Sequence, residues 1–93
     1  MRKIEHTTAF KRDYKRELKG PHQTVLAHDF IKIIKMLAAD EPLIARYRDH
    51  PLTGEWKDHR DCHIKPDLVL IYRKPDSERL QLVRLGSHSE LGL

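Results

Sequence analysis

Ninety-three residues fit one domain, and a domain this short buries only about 60–65% of the surface it would expose unfolded, so its core must be compact and modest. With 39% hydrophobic and 34% charged residues it is a folded globule rather than a disordered segment, and its longest apolar run, Leu68 to Tyr72, is far short of the ~20 residues of a membrane-crossing helix. A formal net charge of +4, with seven histidines counted as neutral, favours polyanionic partners.

Arg2 to His6, with Ile4 between charged neighbours, reads as a short edge strand, and Thr7 or Thr8 then offers an N-cap hydroxyl. Phe10, Tyr14 and Leu18 recur at four-residue spacing while Lys11, Arg12, Lys15, Arg16 and Lys19 fill the other faces, which predicts a basic amphipathic helix stopped by Gly20-Pro21. A second helix is expected from Gln23 to Ala39, its apolar stripe made by Leu26, Phe30, Ile33, Ile34 and Leu37, and Glu41-Pro42 ends it. The period then changes. Trp56 to His63, Leu68 to Arg73 and Leu80 to Leu85 read as three strands separated by turns at 64–67 and 74–77. The nearly continuous apolar strand Leu68–Tyr72 fits the centre of a sheet with helices on one face. The expectation is a single α+β domain, residues 1–93, ordered β-α-α-β-β-β: a two-helix hairpin on an antiparallel sheet, with Ser87 to Leu93 as a tail.

Antiparallel neighbours reverse direction, so the meander is expected to collect His63, Asp67, Arg84 and His88 at one end of the sheet, with His50 on the irregular approach to it. Singly, each has a structural explanation in strand-end capping, turn hydrogen bonds or ion pairing; together they are a set of acid–base groups beside a cation. Metal binding is the rival chemistry, with His50, His59, His63 and His88 and Asp61 or Asp67 as donors. Spacing argues against it: on a strand His59 and His63 are about 13 Å apart, and Cys62 faces away from His63. No metal or other cofactor is expected. No Gly-x-Ser-x-Gly elbow is present, and Gly20, Gly54, Gly86 and Gly92 are too scattered for a phosphate-binding loop. A lone Cys62 makes no internal disulfide and, with no apolar leader, suits a reducing cytoplasm. A histidine-rich, metal-free, positively charged site suits RNA cleavage, in which the 2′-hydroxyl attacks the neighbouring phosphorus, a base takes its proton and an acid protonates the departing 5′-oxygen.

The run Tyr47-Arg48-Asp49-His50-Pro51-Leu52-Thr53-Gly54-Glu55-Trp56, continuing from Arg60-Asp61-Cys62-His63 through Pro66-Asp67 to Tyr72, resembles the signature of YafQ-type toxins of the RelE superfamily, and Arg84-Leu85-Gly86-Ser87-His88 resembles their last motif. The resemblance covers most of the second half of the chain. It implies a RelE-like fold, a cognate antitoxin of the DinJ/RelB kind in a toxin–antitoxin heterotetramer, and cleavage of messenger RNA in the ribosomal A site without a metal. By motif position His50, His63, Asp67 and His88 form the acid–base group, with His50 or Asp67 as base, His88 as acid and His63 orienting; Arg84 meets the scissile phosphate. Arg60, Lys57, Lys11 and Lys15 are further RNA contacts under this reading. The chain departs from the pattern after the last histidine, where these toxins carry an aromatic and this one reads Ser89-Glu90-Leu91-Gly92-Leu93, so stacking on a base there is not expected. Two other functions compete: a gyrase-directed toxin of the ParE kind, whose relatives lack the histidine set, and a non-catalytic RNA-binding module.

Overall fold

A computed structural model describes all 93 residues. Strand β1 (Lys3–His6) leads into helix α1 (Thr8–Leu18) through Thr7, which caps the helix by accepting the Phe10 N–H at 2.9 Å and ties it to the sheet by donating its hydroxyl to the Val83 carbonyl. The expected second helix is two: α2 (Gln23–Ala27) and α3 (Asp29–Ala38), broken at His28, where φ is −125° and ψ −75°. Leu26 and Phe30 lie four residues apart across the break, so the apolar period runs through it and hides it. No helix is long and apolar enough to cross a membrane.

The sheet has five strands in the order β1-β5-β4-β3-β2, with β2 at His50–Pro51, β3 at Arg60–Lys65, β4 at Leu68–Arg73 and β5 at Arg79–Gly86. Four of them form the antiparallel part, but β1 runs parallel to β5, from Lys3 beside Arg79 to His6 beside Leu82, so the sheet is mixed rather than wholly antiparallel. Strand β3 starts four residues later than expected. The chain before it makes a 3-10 turn at Gly54–Trp56 and passes through left-handed backbone at Gly54 and Asp58. It also runs two residues beyond His63, leaving Pro66 and Asp67 as a tight hairpin turn.

Both faces of the sheet are covered, not one. On the first, Phe10, Leu26, Phe30, Ile33 and Leu37 pack on Leu68, Leu70, Tyr72 and Leu80; on the second, Leu91, Leu52 and Trp56 pack on Val69 and Ile71. This double burial is why β4 is apolar at successive positions. The presumed tail supplies part of the second layer as a short helix, α4 (His88–Leu91). The Ser87 side chain accepts the Glu90 N–H and the Glu90 carboxylate accepts the Ser87 N–H, a reciprocal cap.

Past His6, β5 has lost its β1 partner, and two side chains of α1 take over that edge. The Asp13 carboxylate accepts the Leu85 N–H at 3.0 Å, and the Arg16 guanidinium donates to the Leu85 carbonyl at 2.9 Å. Asp13 is 2% exposed and also accepts from Arg84 Nε at 2.7 Å and Arg16 Nη1 at 3.2 Å. At Gly86 a β-carbon would stand 2.9 Å from Arg16 Nη2, the mobile end of that side chain.

Candidate active site

The second face of the sheet holds the site. Alternation along β3 sends Cys62 and Ile64 into the helix-covered core and leaves Asp61 and His63 on the opposite side. Strand β2 pairs His50 directly with Asp61, and α4 begins with His88, set in place by the Ser87 cap. The imidazoles of His50 and His63 have centroids 6.2 Å apart and those of His63 and His88 4.8 Å apart, so His63 sits in the middle of a row of three.

Asp61 lies beneath that row at 2% exposure. His50 Nε2 is 2.9 Å from its Oδ1, an ion-pair distance at an angle that does not make a hydrogen bond, so this buried oxygen has no donor of its own. Burial raises the Asp61 carboxyl above its ordinary value, against the pull of His50, His63 and His88. Burial likewise lowers His63 below the ordinary imidazole value; Asp61 opposes this, and the positive charge of His88, His50 and Arg48 adds to it. His63 is thus held neutral near pH 7, within reach of a carboxylate that stabilises whichever ring takes a proton. Cys62, fully buried, has its thiol pushed far up by that burial and is not a nucleophile.

Of the residues expected from the sequence, the structure brings His50, His63 and His88 together. Asp67 is 73% exposed at its side chain and faces His22 at 3.4 Å rather than the histidine row. Arg84 is clasped by Asp13 through Nε and Nη2. Arg60 pairs with Asp49 at 3.2 Å, Lys57 is exposed after the 3-10 turn, and Lys11 and Lys15 stand on α1 at the rim of an apolar groove of about 650 Å³. The carboxylate that does join the histidines, Asp61, entered the sequence reading only as a metal donor. The signal for it was present: two residues from His63 on a strand, it must share that residue's face.

A cleft of about 690 Å³ is lined by His63 and His88 together with Arg46, Arg48, Lys65 and Asp29. The site also holds a potential metal-donor set that spacing along one strand missed, because one donor comes from the neighbouring strand: atoms of His50, Asp61 and His63 lie within 4.8 Å of one another. Two imidazoles and a carboxylate are donors suited to zinc or copper.

The family of bacterial toxins of type II toxin-antitoxin systems, YafQ, matches residues 2–92. An mRNA interferase toxin YafQ of Escherichia coli strain B is 36% identical over 97% of this chain and 95% of its own. Among solved structures, YafQ in the DinJ–YafQ complex of E. coli superposes with a TM-score of 0.81 at 33% identity, covering 98% of each chain. A metal-bound toxin from Helicobacter pylori superposes with a TM-score of 0.83 at 46% identity, covering 98% of this chain and 99% of that one. With its mixed five-stranded sheet, its helices and its row of histidines, this chain belongs to the YafQ family of type II toxins.

Proposed function

We propose that the protein is an mRNA interferase, an endoribonuclease that cuts messenger RNA in the ribosomal A site in the cytoplasm and is held in check by a cognate DinJ-like antitoxin. The observation that carries the catalytic reading is the row His50–His63–His88 above the buried Asp61 carboxylate. His50 takes the 2′-hydroxyl proton on Nδ1, once that nitrogen turns from the Pro51 carbonyl 3.2 Å away, and Asp61, 2.9 Å from Nε2, stabilises the imidazolium that forms. The freed 2′-oxygen bonds to phosphorus as the bond to the 5′-oxygen breaks, and His88, exposed at the start of α4, gives that oxygen its proton. The products are a 2′,3′-cyclic phosphate and a 5′-hydroxyl. His63, neutral between them, hydrogen-bonds and orients. Asp67 is the alternative base, reached by a shift of the hairpin turn away from His22. Arg84, Arg60, Lys57, Lys11 and Lys15 supply positive charge for messenger and ribosomal RNA.

Primer-extension mapping of a translated messenger, with and without ribosomes and with chelator, tests this on wild type, His50→Ala, His63→Ala and His88→Ala. Cuts that need ribosomes, survive chelation and vanish in the variants are expected. The His50–Asp61–His63 donor set favours one second reading, a metal-assisted cleavage; loss of cutting in chelator with recovery on added zinc would establish it instead.

A further inference from the structure

Arg48 stands two residues before His50 and combines three features that no other arginine of the chain has together. Its backbone is left-handed, at φ +48° and ψ +47°, closing the 3-10 turn Ala45–Tyr47. Glycine or asparagine fills such a position most easily, and a long side chain there is a local conflict of the sort that gathers at functional sites. Of the nine arginines, only Arg48 and the α1 surface residue Arg12 make no side-chain hydrogen bond or ion pair; even Arg46 next door donates to the Tyr47 hydroxyl. And its exposed side chain lines the same cleft as His63 and His88. The one acid of that cleft, Asp29, is 3.4 Å from Lys65, so nothing there neutralises Arg48.

Arg84, the residue that motif position gives to the phosphate, has its Nε–Nη2 edge committed to a buried carboxylate, whereas the whole guanidinium fork of Arg48 is free. At about 690 Å³ the cleft is of the size of a ligand-binding site rather than of a packing defect. We propose that Arg48 is a phosphate-binding residue of the active-site cleft, whose guanidinium grips the RNA backbone beside the bond that His50 and His88 act on. The proposal rests on the ribonuclease reading above and adds to it the contact that registers the strand.

The left-handed backbone gives a clean test, because Arg48→Gly removes the side chain and the backbone conflict together. Purified Arg48→Gly is expected to unfold at or above the wild-type midpoint, yet to cleave translated messenger with kcat/KM lowered about 10- to 100-fold, the effect of losing one charge-assisted contact. Binding of a fully 2′-O-methylated single-stranded RNA, which cannot be cut, should lose about 0.7 from the slope of log affinity against log salt in Arg48→Gly and recover it in Arg48→Lys. An Arg48→Gly protein with wild-type cleavage and an unchanged salt slope overturns the proposal. If the wild type itself cuts no messenger, the ribonuclease reading fails, and the salt slope still decides whether Arg48 holds phosphate.

Discussion

Replacing Asp13 by alanine removes one of the side chains that join α1 to β5. The carboxylate is 2% exposed, accepts the Leu85 N–H and holds the Nε and Nη2 of Arg84. Leaving the buried N–H unpaired costs about 1–3 kcal/mol. Breaking an ion pair with one fully buried partner costs about 3–5 kcal/mol when both members are inside, and less here because the Arg84 side chain is 27% exposed and regains water. Together these give about 3 kcal/mol. A domain of this length unfolds with an entropy near 0.2 kcal/mol/K, so the melting midpoint should fall by about 15 °C. Asp13→Asn keeps an acceptor for Leu85 and should lose about half as much. Burial alone would raise this carboxyl, but hydrogen bonds from Arg84 and Leu85 and the charges of Arg84 and Arg16 outweigh it and hold it below its ordinary 3.8. The stabilisation is therefore complete above that pH and drains away as acid titrates through the lowered value, so Asp13→Ala should also show a shallower acid limb. Urea unfolding followed by circular dichroism between pH 2 and 7 measures both. A loss under about 1 kcal/mol at pH 7, with an unaltered acid limb, would refute the reasoning.

Asp61→Asn should stabilise the fold at pH 7 while slowing cleavage at least tenfold: the raised carboxyl contributes stability below 3.8 that is lost as pH climbs through the raised value, and the amide avoids that loss. Urea midpoints at pH 4 and pH 7, set beside primer extension, check the pair of effects. His63, lowered by burial, behaves in the opposite sense: its contribution is present above 6.5 and is lost as pH falls through the lowered value, so His63→Gln should flatten the acid side of the urea midpoint below pH 6.5. Leu91→Ala, emptying a 5%-exposed contact on Val69 and Ile71, should cost about 2–3 kcal/mol and also slow cleavage, since α4 carries His88; full activity in the folded variant would separate α4 from catalysis.

Periodic features were legible from the residues alone. An N-cap at Thr7 or Thr8, the Phe10–Tyr14 stripe and the existence of β4 each follow from local spacing, whereas the unbroken apolar run of β4 also signals a second covered face, which the one-sided expectation left out. The break at His28 was not, because the spacing that signals a helix is kept across it. The parallel partner of β1 was hidden for a different reason: four residues carry no information on which distant edge they join. Helix α4 was legible and passed over, since Ser87-x-x-Glu90 is a capping-box pattern whatever the length of the segment behind it. At the site, alternation placed His63 away from Cys62 and by the same rule could have added Asp61. That Asp67 faces His22, and that Arg84 is held by Asp13, depends on residues 45 and 71 positions away in the chain, and no local pattern reports those.

The parallel pairing of β1 with β5 also sets an order of assembly. Strands β3, β4 and β5 are joined by short turns and bring with them Asp61, His63 and, just beyond, His88, so this layer can form from contacts close in sequence. Docking β1 closes a loop of 76 residues, from Lys3 to Arg79, and must wait for the meander to offer its edge. His63 and His88 are accordingly placed early and the edge strand β1 last, and amide-exchange labelling during refolding should protect β4 before it protects β1.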